Sequence, residues 1–279
     1  MKSVKHFFWL LISCALFSFF CNSVSAEIIF RDDFGSNNFS KVQNGASWGQ
    51  RTAVTASNQS ARFLFSGKSS GHAFSELRFD LGAAYREVWL QFRLFIPSNY
   101  KHRKFSNANN FKFLRIWPRN YRDREKVGFS NWQSRSGSSG SRLVADWAVN
   151  GQGLGPKGDR VDPFISEADR GKWMTVKIHV KAAASSSQHG TLRVWKNGNL
   201  VLNNNGTVNN YHSGEGHAYR YGYLLGWANA GFDKDTIIYI DDVIFATSEG
   251  DLGSDSDPNN PPQNDEAPDP PKNLRVVEK

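Results

Sequence analysis

The chain has 279 residues, with 34 Lys and Arg against 26 Asp and Glu and a formal charge of +8. Its 2 cysteines, Cys14 and Cys21, lie near the start, so the remainder excludes a structural disulfide, a thiolate metal site and a cysteine nucleophile. The basic excess is concentrated in the middle: residues 1–26 hold +2 and residues 249–279 hold three basic against eight acidic groups, which leaves +11 for the segment between them. A charge of that size selects a polyanionic partner or serves solubility.

Residues 1–26 combine Lys2 and Lys5, a long apolar run and the small-residue ending Val24-Ser25-Ala26, the layout of a cleavable secretory signal. Phe20 precedes Cys21 where lipidation requires a small residue, which argues against a lipoprotein. The expectation is a secreted protein, extracellular or periplasmic, with no membrane span. Export favours an acidic polysaccharide over nucleic acid as the partner. Residues 249–279 are rich in Asp, Asn and Pro and read as a linker or tail. Residues 27–248 are then one domain, taken as a monomer.

Within that domain, apolar residues alternate with period two. In "FSELRFDL", residues 74–81, Ser75, Leu77, Phe79 and Leu81 share one face, and Phe74, Glu76, Arg78 and Asp80 the other. "EVWLQFRLFIP" sets Val88, Leu90, Phe92, Leu94 and Ile96 against Trp89, Gln91, Arg93 and Phe95. Folding these two stretches as adjacent antiparallel strands would bring Glu76 and Arg78 near Trp89, Gln91 and Arg93. Carboxylate, guanidinium, amide and indole together suit a sugar acid, because arginine grips a carboxylate through two parallel hydrogen bonds. An exposed cross-strand ion pair explains Glu76 and Arg78 equally well.

Next, "NNFKFLRIWPRNYRDREK" is the most basic and aromatic stretch, and Lys112, Arg115, Trp117, Arg119 and Tyr121 are candidates to line a binding trough or its rim. "WMTVKIHVK" alternates Met174, Val176, Ile178 and Val180 with Trp173, Thr175, Lys177, His179 and Lys181. "TLRVWKNGNLVLN" is a hairpin with its tight turn at Asn197-Gly198. "YRYGYLLGW" and "DTIIYIDDVIFA" supply further strands, and no stretch has sustained helical spacing. Many short strands around one core predict an all-β sandwich of jelly-roll type, its two antiparallel sheets curved so that one offers a concave groove.

The order of "FSELRFDL", "GKWMTVKIHVK", "GTLRVWKNGNLV", "YRYGYLLGW" and "IYIDDVIF" resembles the concanavalin A-like jelly-roll polysaccharide lyases, meaning glucuronan lyase and heparin lyase I relatives and, more distantly, the alginate lyases. The resemblance implies a lyase that cleaves an acidic, uronate-containing polysaccharide by β-elimination. Ser75, Glu76, Leu77 and Arg78 match the alginate lyases' Arg-(Ser/Thr)-Glu-Leu-Arg motif, with Phe74 in place of its first arginine. Arg78 is thereby the group for the substrate carboxylate, oriented by Glu76.

Two motifs depart from the resemblance. Asn131 and Trp132 stand where a glutamine and histidine are expected. Aligning the Tyr-Phe-Lys-x-Gly-x-Tyr motif on Gly222 puts Arg220 at the lysine and Leu224 at the catalytic tyrosine.

β-Elimination needs a stabiliser for the dianion at the uronate carboxylate, a base for the C5 proton and an acid for the leaving oxygen. Arg78, Arg220 and Asn131 are candidates for the first; Tyr219, Tyr221, Tyr223, His212 and His217 for the others, although tyrosines two apart also suit a half-buried strand. His179, in a strand assigned to the back sheet, is read as a solvated surface histidine. A calcium ion is expected between "FRDDF" and "YIDDV", with Asp33 and Asp241 as first choices and Asp32 and Asp242 as second; strand-end capping is the alternative. A binding module on the same fold, holding a polyanion without cutting it, is the competing function. A glycoside hydrolase is third, since Glu76 lacks an evident carboxylate partner.

Overall fold

The computed structural model describes residues 27–103, 110–119, 121, 127–147, 155–211 and 218–253, with the side chains of 155–159 left out. Residues 1–26 with both cysteines, residues 254–279, His212 and His217 lie outside the described residues.

Eighteen strands make up the described chain. The first six are β1 (Ile28–Asp32), β2 (Val42–Gln43), β3 (Ala46–Thr52), β4 (Val54–Ser57), β5 (Ser60–Phe65) and β6 (Ala73–Phe74). Then come β7 (Glu76–Tyr85), β8 (Glu87–Ile96), β9 (Asn110–Trp117), β10 (Val127–Ser134), β11 (Gly137–Trp147) and β12 (Gly155–Ile165). The last are β13 (Lys172–Lys181), β14 (Gly190–Lys196), β15 (Asn199–Val208), β16 (Tyr219–Leu224), β17 (Trp227–Ala228) and β18 (Thr236–Ala246).

They form two antiparallel sheets. One runs β15-β14-β13-β8-β18-β5-β4, with β1 also on β18; the other runs β12-β11-β10-β9-β16-β7-β3-β2, with β17 against β9 and β6. The expected all-β jelly-roll sandwich is therefore present. Leu77, Phe79 and Leu81 of β7 and Val88, Leu90, Phe92, Leu94 and Ile96 of β8 are all buried in one core between the sheets, each strand contributing the face its alternation marks. Burying a large aliphatic or aromatic side chain stabilises the fold by about 1.5–3 kcal/mol. Lys196 pairs with Asn199 across the turn, where Asn197 and Gly198 take φ of 49° and 76°, the tight turn that the dipeptide predicts.

One expectation fails at this level. β7 pairs with β16 and β3, whereas β8 pairs with β13 and β18 in the opposite sheet. The chain crosses between sheets at Arg86 instead of closing a hairpin, and no Asn-Gly or Asp-Gly pair stands there to make a tight turn. Trp89, Gln91 and Arg93 consequently lie on the outer face of the other sheet, away from Glu76 and Arg78.

A second, smaller apolar cluster caps that outer face around Trp89, Ile244, Ala246 and Leu252. His179 is correctly placed on this sheet but is not solvated. It is 3% exposed, stacks on Trp89 with ring centroids 3.9 Å apart and planes 6° from parallel, and bonds Glu87 at 2.8 Å. Burial, the largest influence, lowers its pKa against the opposing pull of Glu87.

Candidate active site

In an antiparallel sheet, directly paired residues point to the same side. On one side of Arg78 lies Tyr223 of β16, and Tyr223 in turn pairs with Arg115 of β9, which pairs with Gly128 of β10. One row along, Asp80 pairs with Tyr221, and Tyr221 with Trp117. These two rows occupy the outer face of the larger sheet, because Leu77, Phe79, Leu114, Ile116 and Leu224 at intervening positions are buried in the core. A bulge at Phe113 shifts the phase of β9: Phe129 pairs with Leu114 but Ser130 with Lys112, so Lys112 joins Arg115 and Trp117 on the outer side.

Arg78 is held from two directions. Its Nε donates to Glu76 Oε1 at 2.7 Å, and its guanidinium carbon lies 4.5 Å from the centre of the Tyr121 ring. Among the described residues no hydrogen-bond partner takes its terminal nitrogens, and the side chain is 31% exposed. A guanidinium anchored through Nε and open at its two Nη atoms is poised to grip a carboxylate. Glu76 is itself nearly buried. Burial raises its pKa most, and the hydrogen bond and charge of Arg78 oppose that rise.

Tyr121 packs against Trp117 and Tyr221, with centroids 5.3 and 5.6 Å away, and its hydroxyl lies 2.9 Å from the carbonyl oxygens of both Phe79 and Gly222. Burial, the largest of several influences, raises its pKa. Arg220 donates through Nε and Nη2 to the two oxygens of Asp80 at 2.8 and 3.2 Å and lies over the Tyr221 ring. It stands on the outer face beside Tyr221, with its fork spent on Asp80.

Several candidates are corrected. Arg115 is 2% exposed and donates to Leu114 O, Phe129 O and Ser130 Oγ at 3.0, 2.7 and 2.8 Å. It forms the floor of the trough, lying where a Cβ at Gly128 would collide with it, which is why that position is glycine. Asn131 pairs with Phe111 and Leu143, is fully buried and faces the core with Val127 and Phe129, so it is not at the substrate face. Tyr219 also points inward, fully buried, with its hydroxyl accepting from Asn210 Nδ2 at 2.8 Å. Burial raises its pKa strongly. Trp132 does face the trough side, beneath the guanidinium of Arg142 at 5.4 Å.

The motif alignment fails because Gly222 and Leu224 pair with Phe79 and Leu77 and turn inward with them, which leaves Tyr221 and Tyr223 outward. Sequence reasoning missed three features: the placement of Tyr121 over Arg78, the Asp80–Arg220 pair, and the exposed Phe74 and Trp227, directly paired at the rim with 37% and 41% exposure. For Asp80, the alternation with Glu76 and Arg78 was a signal available in the sequence.

At the expected calcium site, Asp32 accepts from Trp48 Nε1 at 2.6 Å and from Phe34 N at 2.9 Å and is committed to that structural role. Asp241, on the outer face opposite Arg93, has its pKa pushed up to about 7, first by burial and then by Asp242; Asp33 adds to this, and Arg93 opposes it. Among the described residues no three His, Cys, Asp or Glu side chains form a group able to hold a metal. Asp33 and Asp242 both act to raise the Asp241 pKa, and no chemistry is derived through a metal there.

Comparison with known proteins completes the picture. A double mutant of alginate lyase Aly36B in complex with an alginate trisaccharide superposes with a TM-score of 0.53 at 13% identity, over 79% of this chain and 98% of that one. Endo-β-1,4-glucuronan lyase from the fungus Trichoderma reesei gives a TM-score of 0.53 at 12% identity, over 81% and 98%. At these identities the likeness establishes the jelly-roll fold. No curated protein sequence matches the chain. A family model described as polysaccharide lyase matches residues 33–244, across both sheets and every groove strand described above, and the chain belongs to that family of polysaccharide lyases.

Proposed function

We propose that the protein is an exported lyase that cleaves a uronate-containing polysaccharide by β-elimination in the trough around Arg78 and Tyr223. The observation that carries this reading is the cross-strand row Arg78–Tyr223–Arg115, which sets a tyrosine between a guanidinium open at its Nη atoms and a buried one. The leader of residues 1–26 supports export, and the +11 charge of the segment that follows supports an acidic polymer.

In this mechanism the Nη atoms of Arg78 bind the uronate carboxylate, and Glu76 and Tyr121 hold the guanidinium in place. Removal of the C5 proton builds negative charge on that carboxylate, which a preorganised cation stabilises more than it stabilises the ground state. Tyr223, as the phenolate, takes the C5 proton. Tyr221, two residues along the same face, delivers a proton to the leaving glycosidic oxygen as the C4–O bond breaks and the C4–C5 double bond forms. Exchange with water restores both tyrosines. Trp117 backs Tyr223 at 5.3 Å, and the half-buried Lys112 on the same face adds positive charge along the trough.

The test is to incubate the full chain with glucuronan, alginate and heparin and follow the ultraviolet absorbance of the unsaturated uronate. A rise with at least one polymer is the expected result. No rise with any polymer, together with retention on an immobilised acidic polysaccharide, would overturn cleavage and leave a binding protein on the same fold.

A further inference from the structure

At the far end of the larger sheet, Arg142 of β11 pairs with Trp132 of β10, and Arg160 of β12 pairs with Val144, so both arginines rise from the face that carries Arg78. Arg135 stands in the hairpin joining β10 to β11. Three cations here act on one another: the pKa of Arg142 is lowered, first by burial, then by Arg160 and Arg135, with Asp162 opposing. Asp162 already accepts from Ser134 Oγ at 2.5 Å and from Arg135 N at 3.0 Å. Arg142 Nε is buried with no hydrogen-bond partner among the described residues, and the guanidinium rests over the Trp132 ring. Crowded, undercompensated cations beside an indole are costly without an anion to close them.

We propose that Arg142, Arg160 and Arg135, with Trp132 as a stacking wall, form a second subsite that binds the carboxylate or sulfate of a sugar well removed from the one cleaved. This rests on the lyase reading above and deepens it. β11 lies four strand steps from β7, through β16, β9 and β10, and Arg142 is four residues along β11 from the row of Arg78. At the usual spacings these offsets are about 19 Å across the strands and about 13 Å along them, the reach of about four sugar rings. The chain would therefore favour polymers over short oligomers, both anchors being engaged only by a long substrate.

The experiment measures kcat and KM of the full chain and of Arg160→Gln and Arg142→Gln on a long polymer and on its trisaccharide. Arg160 is exposed, so its variant keeps the test open where Arg142→Gln fails to fold. The expected result is a KM raised about tenfold on the polymer, with kcat and all trisaccharide values unchanged. An unchanged polymer KM, or an equal rise on both substrates, overturns the subsite while leaving the lyase reading intact. An effect on glucuronan or alginate assigns a carboxylate, and one confined to heparin assigns a sulfate. Should no polymer be cleaved, retention on immobilised polymer decides: weaker retention of Arg160→Gln supports the subsite, and equal retention overturns it.

Discussion

The two outer faces of the sandwich carry similar residue types and use them differently. On the smaller sheet, Trp89, His179 and Glu87 close on one another, Lys181 adds a 2.7 Å ion pair to Glu87, and Lys177 pairs with Glu249 at 2.8 Å. On the larger sheet, Arg78 is anchored through a single nitrogen and leaves the others pointing outward. Aromatic and charged residues at alternate strand positions thus make a sealed structural layer in one place and an open guanidinium-bearing face in the other. The difference lies in what remains unsatisfied once neighbours have been counted, and residue type alone does not reveal it.

The sharpest way to break this contrast is Tyr223→Phe, which keeps the ring against Trp117 and removes only the hydroxyl. We expect kcat to fall by about 10²–10⁴-fold with unchanged melting temperature, measured as unsaturated product formed. On the sealed face, His179→Ala should leave kcat unchanged while lowering stability by about 2 kcal/mol in urea unfolding, through loss of the Trp89 stack and the Glu87 hydrogen bond. A large loss of turnover there, at full stability, would merge the two faces.

A smaller effect is expected from Asp241, also on the outer face of the smaller sheet. Its folded pKa of about 7 lies above the unfolded value, so the protonated form is favoured in the folded state, and stability is lost as pH rises from about 4 through about 7. Asp241→Asn keeps an acceptor for the backbone N–H of Asp242, 2.8 Å away. It should therefore stabilise the protein by about 1–2 kcal/mol at pH 8 and by almost nothing at pH 4, as read from thermal unfolding at the two pH values.

The alternation in residues 74–81 and 87–96 was enough to read the core faces of β7 and β8, and Asn197-Gly198 to read the hairpin turn, because these depend on local geometry. Which sheet each strand enters depends on contacts distant in sequence, and that is why Trp89, Gln91 and Arg93 were expected beside Arg78. The tyrosines of β16 failed for a different reason: Gly222, the anchor of the motif, turns inward together with Leu224, so motif spacing pointed to a core residue and not to Tyr221 or Tyr223 on the outer face. Asn131 was legible after all, since it shares its parity with the core residues Val127 and Phe129. Tyr121 was named as a trough residue, but its cover over Arg78 comes from a loop and carries no periodic signal.

Arg78→Gln and Arg93→Gln, assayed side by side on the polymer that the full chain cleaves, test the account most directly. Each removes one arginine from an outer strand face, the first from the trough and the second from the sheet behind it. The account predicts that turnover falls by about 10³-fold for Arg78→Gln and stays within about twofold of the parent for Arg93→Gln, both proteins remaining folded. Undiminished turnover in a folded Arg78→Gln protein would contradict it.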